Sequence, residues 1–123
     1  MTITTRAIDN TADVIDSRDI VARIEALREA VEAHTADDHD TAELAALEAF
    51  AAEAEPYCAD WHHGETLIRD SYFVDYVQEL LADCGDIPRD LPFYVVIDWE
   101  ATARNIRYDY TGVDFAGVTY WVR

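Results

Sequence analysis

The chain has 123 residues, and its 26 Asp and Glu against nine Lys and Arg give a net charge of −17. This length suits a single domain, and an apolar content of 50% argues against a disordered acidic tail. So strong a negative field repels nucleic acid and anionic lipid, and we expect the chain to bind neither directly. A basic protein partner is favoured, because the same field would steer its approach.

The sequence lacks the features of an exported or membrane protein. No stretch of about 18 apolar residues could span a bilayer, and no basic start with an apolar core marks a signal peptide. The two cysteines, Cys58 and Cys84, are too few for a disulfide framework, and reduced thiols are their default state. We therefore expect a cytoplasmic protein.

The first predicted element is a helix that begins near Ser17. Residues 1–16, before it, show no strong periodicity and are expected to form a flexible N-terminal segment. The helix has apolar residues at spacings of three and four, which is typical of one buried face. They are Ile20, Ile24, Leu27 and Val31.

A second helix is predicted after a polar break at residues 35–40. Asp40 and Glu43 have the spacing of a capping box, which would start this helix at Asp40. Its inward residues are Leu44, Leu47, Phe50, Ala51 and Ala54. The two helices together predict an antiparallel helical hairpin over residues 17–60.

A third helix is predicted from Asp70 or Ser71 to Cys84, with Gly85 as the left-handed residue that ends it. Its inward positions follow helical spacing and are Phe73, Val77, Leu80 and Cys84. After a proline-containing loop, residues 93–97 (FYVVI) predict a short buried strand, because β-branched and aromatic residues dominate them.

The last predicted elements are a short helix and a hairpin. Asp98 would cap the helix, which runs to about Arg107 and turns Trp99, Ala103 and Ile106 inward. The hairpin arms are residues 110–115 and 118–122. Because Ala116 resists positive φ, a three-residue loop with Gly117 in the left-handed position is favoured over a type I′ turn.

These elements predict an α+β fold that is predominantly helical. The N-terminal helical hairpin would be followed by a C-terminal domain at residues 61–123, with a small antiparallel sheet at the C-terminal end. We expect the segments to form one compact domain.

The third helix carries an acidic row on the face away from its apolar positions. Asp75, Glu79 and Asp83 are neighbours at helical spacing, about 5–6 Å apart, where each like-charged pair costs a few tenths of a kcal/mol. No basic residue of the helix offsets this cost, as a stabilising surface would require. Regularly spaced carboxylates can imitate the phosphates of one DNA strand. A merely solvated face, or acidity shared by all proteins of a high-salt cytoplasm, is the alternative.

Other kinds of site find less support. Cys58 and His62 are four residues apart, and Asp60, His63, Glu65 and Cys84 could join them, but no complete zinc pattern occurs. With 26 acidic residues, some carboxylate pair always resembles an acid–base site. We therefore predict no enzyme activity, no catalytic residue, no metal and no cofactor. Tyr72 and Tyr76, beside the acidic row, are either partner contacts or packing residues.

Several features of the C-terminal half occur together in a known family. They are Gly64, the acidic helix at 72–82, Ile87-Pro88, Leu91, Ile97-Asp98-Trp99-Glu100, Arg104 and the final Tyr-Trp-Val-Arg at 120–123. In these features about half of the chain resembles the C-terminal region of the ArdA antirestriction family. Family chains are longer, and the predicted hairpin stands where their N-terminal domains would be.

The resemblance implies a dimeric DNA mimic from a phage or other mobile element. Such a protein blocks type I restriction enzymes by occupying their DNA-binding groove. The implied DNA-mimicking acids are Asp75, Glu79, Asp83, Asp86, Asp90, Asp98 and Glu100. Tyr72, Tyr76, Trp99 and Arg104 would be further interface residues. A shorter chain could also address another target, such as a CRISPR effector.

A non-enzymatic structural or adaptor protein of a mobile element is the alternative function. Its helical hairpin would form an oligomeric coiled-coil seam, in which Ile24 and Leu27 matter more than any carboxylate.

Overall fold

The computed structural model describes residues 5–88 and 90–123. Its elements, in chain order, are β1 (Val14–Asp16), α1 (Ser17–Glu32), α2 (Asp38–Ala54), β2 (Thr66–Arg69), α3 (Phe73–Asp83), α4 (Trp99–Arg107), β3 (Thr111–Phe115) and β4 (Val118–Val122). Short 3-10 turns follow α2 at Glu55–Tyr57 and precede α3 at Asp70–Tyr72. The predicted α+β class is confirmed. None of the helices described is both long enough and apolar enough to cross a bilayer.

The four strands form one antiparallel sheet in the order β1-β2-β4-β3. The sequence pattern gave no sign of β1, which is only three residues long and lies within the segment at 1–16. It also gave none of β2, because Leu67 and Ile68 are both fully buried and the usual alternation is lost. Strands covered on both faces show continuous apolar runs of this kind.

Each face of the sheet is covered by one pair of helices. Successive strand residues point to opposite faces, so Leu67 packs with α1 and α2, whereas Ile68 packs with α3 and α4. Tyr120 and Trp121 divide in the same way. The sheet therefore separates two apolar cores.

Helix α1 begins at Ser17, as predicted, but its N-cap is Asp16, whose carboxylate accepts a hydrogen bond from the Arg18 amide. Ser17 is fully buried instead: its hydroxyl donates to the Trp61 carbonyl and accepts from the Glu65 amide. The prediction that Val31 faces inward is wrong, because it lies in the last turn of the helix and is exposed.

Helix α2 begins earlier than predicted. Asp37 is its N-cap, and Asp40, the third helical residue, completes a capping box. The Asp37 carboxylate accepts a hydrogen bond from the Asp40 amide, and the Asp40 carboxylate accepts one from the Asp37 amide. Glu43 is therefore not the capping partner. Its side chain is buried and forms an ion pair with Arg23 across the hairpin, at 2.7 Å. Charge pairing across 20 residues has no signature in local spacing.

Helix α3 confirms Phe73 and Val77 as buried residues, but two inward predictions for it are wrong. Leu80 is only half-buried and Cys84 is exposed, whereas Leu81 packs against the core. The helix ends before Cys84, so the predicted seam does not extend that far.

The predicted buried strand at residues 93–97 is wrong. The segment forms no strand, and Phe93, Tyr94 and Val96 are all strongly exposed. A short apolar run with no alternation does not by itself distinguish a buried strand from an exposed segment. The sheet is built from four other segments, β1 to β4, and the run is not one of its strands.

The C-terminal hairpin has the predicted arms but a shorter loop. Phe115 pairs with Val118, so Ala116 and Gly117 alone form the turn, with φ of 49° and 88°. The expected three-residue loop is wrong. Two hydrogen bonds hold the turn. The side-chain amide of Asn10 donates to the Ala116 carbonyl, and the backbone amide of Gly117 donates to the Asp114 carboxylate. These contacts help to offset the strain at alanine.

Candidate partner-binding surface

Helix α3 presents its acidic face because its other face is fixed. Phe73 and Val77 are fully buried against Ile68 and Ala103. At the C-terminal end Gly85 has a φ of 74°, and its amide and that of Asp86 donate to carbonyls of the last helical turn. The buried face and the C-terminal end of the helix are therefore held, and its acidic face is directed to solvent.

The acidic row Asp75, Glu79 and Asp83 lies along that solvent face, and all three residues are exposed. At a rise of 1.5 Å per residue, neighbouring carboxylates are about 6 Å apart along the helix. One DNA strand has a phosphate about every 3.4 Å, so the row has a little over half its linear charge density. Among residues 5–88 and 90–123, no Arg or His forms an ion pair with these acids.

Two tyrosines border the row, and both are half-buried. The Tyr72 hydroxyl donates to a Glu79 carboxylate oxygen at 3.2 Å, which orients that side chain. Partial burial, together with the charge of Glu79, raises the pKa of Tyr72. The Tyr76 ring packs near Phe73, with ring centroids 6.3 Å apart. Each tyrosine thus leaves one edge available to a partner.

The remaining predicted acids lie after α3. Asp86 and Asp90 are exposed in the connecting loop, and Glu100 is exposed in the first turn of α4. Asp98 has a structural role, because its carboxylate caps α4 by accepting a hydrogen bond from the Ala101 amide at 3.0 Å. A partner would therefore compete with this cap for the charge of Asp98.

Trp99 and Arg104 occupy different positions on α4. Trp99 is half-buried against the second core, whereas Arg104 is exposed. Arg107, near the end of α4, was not predicted from the sequence as an interface residue. Its guanidinium lies 5.1 Å from the Trp121 ring centroid and 3.5 Å from the Asp70 carboxylate, which also accepts a hydrogen bond from the Trp121 indole. These contacts fix α4 to the sheet, and residues so distant in sequence gave no local signal.

A second acidic surface lies on the other side of the sheet. Between Arg28 and Arg69 the sequence has eleven acidic residues and no Lys or Arg. Exposed acids of the helical hairpin include Glu25, Glu29, Glu32, Asp38 and Glu53. The surface charge is therefore not confined to the predicted row on α3.

The residues considered for a metal site do not come together. Burial raises the pKa of Cys58 to about 11, with a contribution from Glu65, so this residue remains a thiol at neutral pH. The Nε2 atom of His62 instead lies 3.3 Å from a carboxylate oxygen of Glu55. In the described part of the chain, one group of three potential ligands has its ligand atoms close enough together to hold a metal ion, namely Asp37, His39 and Asp40. Two of these already form the α2 capping box.

The residues that would form an oligomeric coiled coil in the adaptor hypothesis are not exposed on the surface. Ile24 is 8% exposed and Leu27 is fully buried, and both pack into the core beneath the hairpin. An oligomeric coiled coil through these residues would require the monomer core to open.

The sequence matches the antirestriction protein (ArdA) family over residues 5–119. This match includes α1 and α2 and is therefore wider than the resemblance found in the C-terminal half. No curated protein and no solved structure is significantly similar. Because the match spans nearly all of the described elements, the chain belongs to the ArdA antirestriction family.

Proposed function

We propose that the protein is a non-enzymatic, stoichiometric inhibitor that occupies the basic DNA-binding groove of a bacterial defence nuclease. Family membership implies antirestriction activity. The exposed acidic row on α3 is the observation that supports mimicry of DNA. Carboxylates at regular spacing on a helix, within a chain of net charge −17, would present to a basic groove a charge pattern similar to that of DNA.

Binding of this kind is electrostatic in origin and has a definite salt dependence. Lys and Arg of the target that normally contact phosphates would contact carboxylates, and the association rate would rise through long-range steering. Screening shortens the range of that field, to about 10 Å at 0.1 M salt. Affinity should therefore fall steadily with salt, as it does for DNA binding to the same groove.

A type I restriction enzyme is the proposed target, and a CRISPR effector is the second candidate. The test is the plating efficiency of unmodified, targeted phage on cells that express the protein. One strain carries a type I restriction system, and a second carries an active CRISPR system. We expect a rise of several decades on the restricting strain alone. No rise on either strain would contradict the proposal and favour the adaptor function.

The row itself is tested by neutralising Asp75→Asn, Glu79→Gln and Asp83→Asn together. Inhibition should be lost while circular dichroism and the unfolding midpoint are retained, because all three side chains are exposed. The matched control neutralises three exposed acids of α1, namely Glu25→Gln, Glu29→Gln and Glu32→Gln.

Both triple variants change the net charge by the same amount. If they lose inhibition equally, overall charge decides binding and the row has no special role. If the α3 variant inhibits fully, the row does not contact the target. A homodimer also remains a prediction, which sedimentation equilibrium of the purified protein can test.

A further inference from the structure

Three of the four most exposed large apolar side chains of the described residues lie in one segment between α3 and α4, and the fourth, Tyr108, lies at the end of α4. Within residues 91–96, which we term the apolar loop, Phe93 is 97% exposed, Val96 87% and Tyr94 74%. Leu91 and Val95 are also exposed. Contiguous exposed apolar patches are uncommon on monomeric soluble proteins and mark interaction sites.

We propose that the apolar loop inserts into an apolar pocket rimmed by Lys and Arg on the nuclease that the protein inhibits. The inference rests on the proposed function and goes further, because it assigns a hydrophobic anchor to an interface otherwise described only by charge. Hot spots of protein interfaces are buried aromatic anchors surrounded by polar groups.

The partner's chemistry follows from the residues around the loop. Asp86 and Asp90 precede it, Asp98 and Glu100 follow it, and all four are exposed. The sequence from 86 to 100 contains only one basic residue, Arg89, against these four acids. An apolar centre with a carboxylate rim is complementary to an apolar pocket with a basic rim.

The same charges argue against a second copy as the occupant. In a two-fold dimer the same patch meets itself, so each acidic rim would face its equivalent. Like charges across an interface lower affinity, so the acidic rim disfavours self-association through this loop.

The area of the loop supports this choice. Burying an aromatic side chain removes about 150–250 Å², so Phe93 and Tyr94 at their exposures offer roughly 350 Å². A stable interface needs about 800 Å² from each partner. The remainder must come from the acidic surroundings, which attract a basic partner and repel a copy of this chain.

The two aromatic rings are arranged to enter a pocket together. The Phe93 and Tyr94 rings are T-shaped, with centroids 5.6 Å apart. Phe93 is entirely apolar, whereas the Tyr94 hydroxyl can remain at the wet margin of a pocket. This arrangement favours Phe93 as the inserted residue and Tyr94 as the residue at its edge.

The test compares two double variants in binding to a purified type I restriction enzyme. Phe93→Ser with Val96→Ser removes the anchor, and Val31→Ser with Tyr57→Ser removes two exposed apolar residues of the hairpin side. Surface substitutions of this kind change stability little. Calorimetric titration at several salt concentrations gives the Kd and its salt slope, and sedimentation gives the oligomeric state.

We expect the anchor variant to raise the Kd on the order of 30-fold or more, which is the loss of affinity typical of a hot-spot substitution. The salt slope should be unchanged. The control variant should bind like the wild type. Wild-type binding with no loss in the anchor variant overturns the inference alone. Absence of wild-type binding overturns the proposed function for this enzyme and the inference with it. A wild-type dimer that the anchor variant converts to monomer also overturns the inference, because a second copy then occupies the loop.

Discussion

The ion pair between Arg23 of α1 and Glu43 of α2 predicts a large loss of stability in Arg23→Ala. Both side chains are only 6% exposed. The guanidinium makes two bonds of 2.7 Å to the carboxylate and donates twice more to Thr5. Without Arg23, the carboxylate keeps only its bond from the Ile8 amide. A buried charge left without its partner costs about 3–5 kcal/mol.

A neighbouring pair of the same hairpin provides a matched control. Arg28 and Glu48 are also separated by 20 residues and lie 2.8 Å apart, but their side chains are 59% and 43% exposed. Exposed pairs contribute about 0–1 kcal/mol, so Arg28→Ala should be nearly neutral. Domains of this size are stable by about 5–15 kcal/mol, so Arg23→Ala should remove a large share of the total.

Urea unfolding followed by circular dichroism measures both variants. Similar losses in Arg23→Ala and Arg28→Ala would refute the reasoning, because burial and the additional hydrogen bonds of Arg23 are what distinguish the two pairs. Replacing the whole pair with Arg23→Met and Glu43→Leu should cost far less than Arg23→Ala, since no charge is then stranded. Equal costs would show that packing of the arginine stem, not charge, is decisive.

The same pair has a pH signature. Burial opposes ionisation of Glu43, but the bonds from Arg23 and the Ile8 amide outweigh it and hold the pKa of that carboxyl below its usual value. A lowered pKa stabilises the folded state above the unfolded pKa, and this contribution is lost as pH falls through the folded value. The stability difference between wild type and Glu43→Gln should therefore shrink as the solution is acidified from neutral pH.

Three further outcomes are expected. Ala116→Gly should raise the unfolding midpoint by a few degrees, because it relieves positive φ worth about 1–2 kcal/mol, while Gly117→Ala should lower the midpoint. In the native protein a thiol reagent should modify Cys84 quickly and Cys58 only on unfolding, since one is exposed and the other buried with a raised pKa; mass spectrometry of the labelled peptides tests this. Moderate salt should raise the free energy of unfolding, because it screens the self-repulsion of a chain at −17, and a salt-independent midpoint would contradict that view.

Local signals were sufficient to identify the four helices and the two arms of the C-terminal hairpin. Asp98 caps α4 as predicted, because a cap and its helix are neighbours in sequence. Gly85 adopts the left-handed conformation expected beyond α3 for the same reason. Apolar spacing correctly identified Phe73 and Val77 as buried.

Features that depend on distant residues could not be predicted. Strand β1 is too short to show a pattern and exists because Ile15 pairs with Leu67. The turn at Ala116 is tolerated where Asn10, far away in sequence, donates to its carbonyl. The burial of Glu43 depends on Arg23. In each case a long-range contact overrides the local preference.

The acidic row lies between these two cases. Its spacing could be read from the sequence, and the structure adds that the three carboxylates are exposed on a helix held by its buried face and its C-terminal end. The apolar loop was misjudged, because composition alone made residues 93–97 look buried. The exposure of a residue depends on the whole fold, so it cannot be predicted from five consecutive residues alone.

The strand order has a consequence for how the chain folds during synthesis. Strand β4 is made after all the other elements described, and it lies between β2 and β3 in the middle of the sheet. Both apolar cores are therefore incomplete until residues 118–122 are made, and before then α1 and α2 have only the β1–β2 pair to cover. Exposed apolar surface makes such partly folded chains prone to aggregate. Mutual repulsion between nascent chains so rich in carboxylates opposes aggregation. The acidity that we assign to target recognition would therefore also keep the partly folded protein in solution.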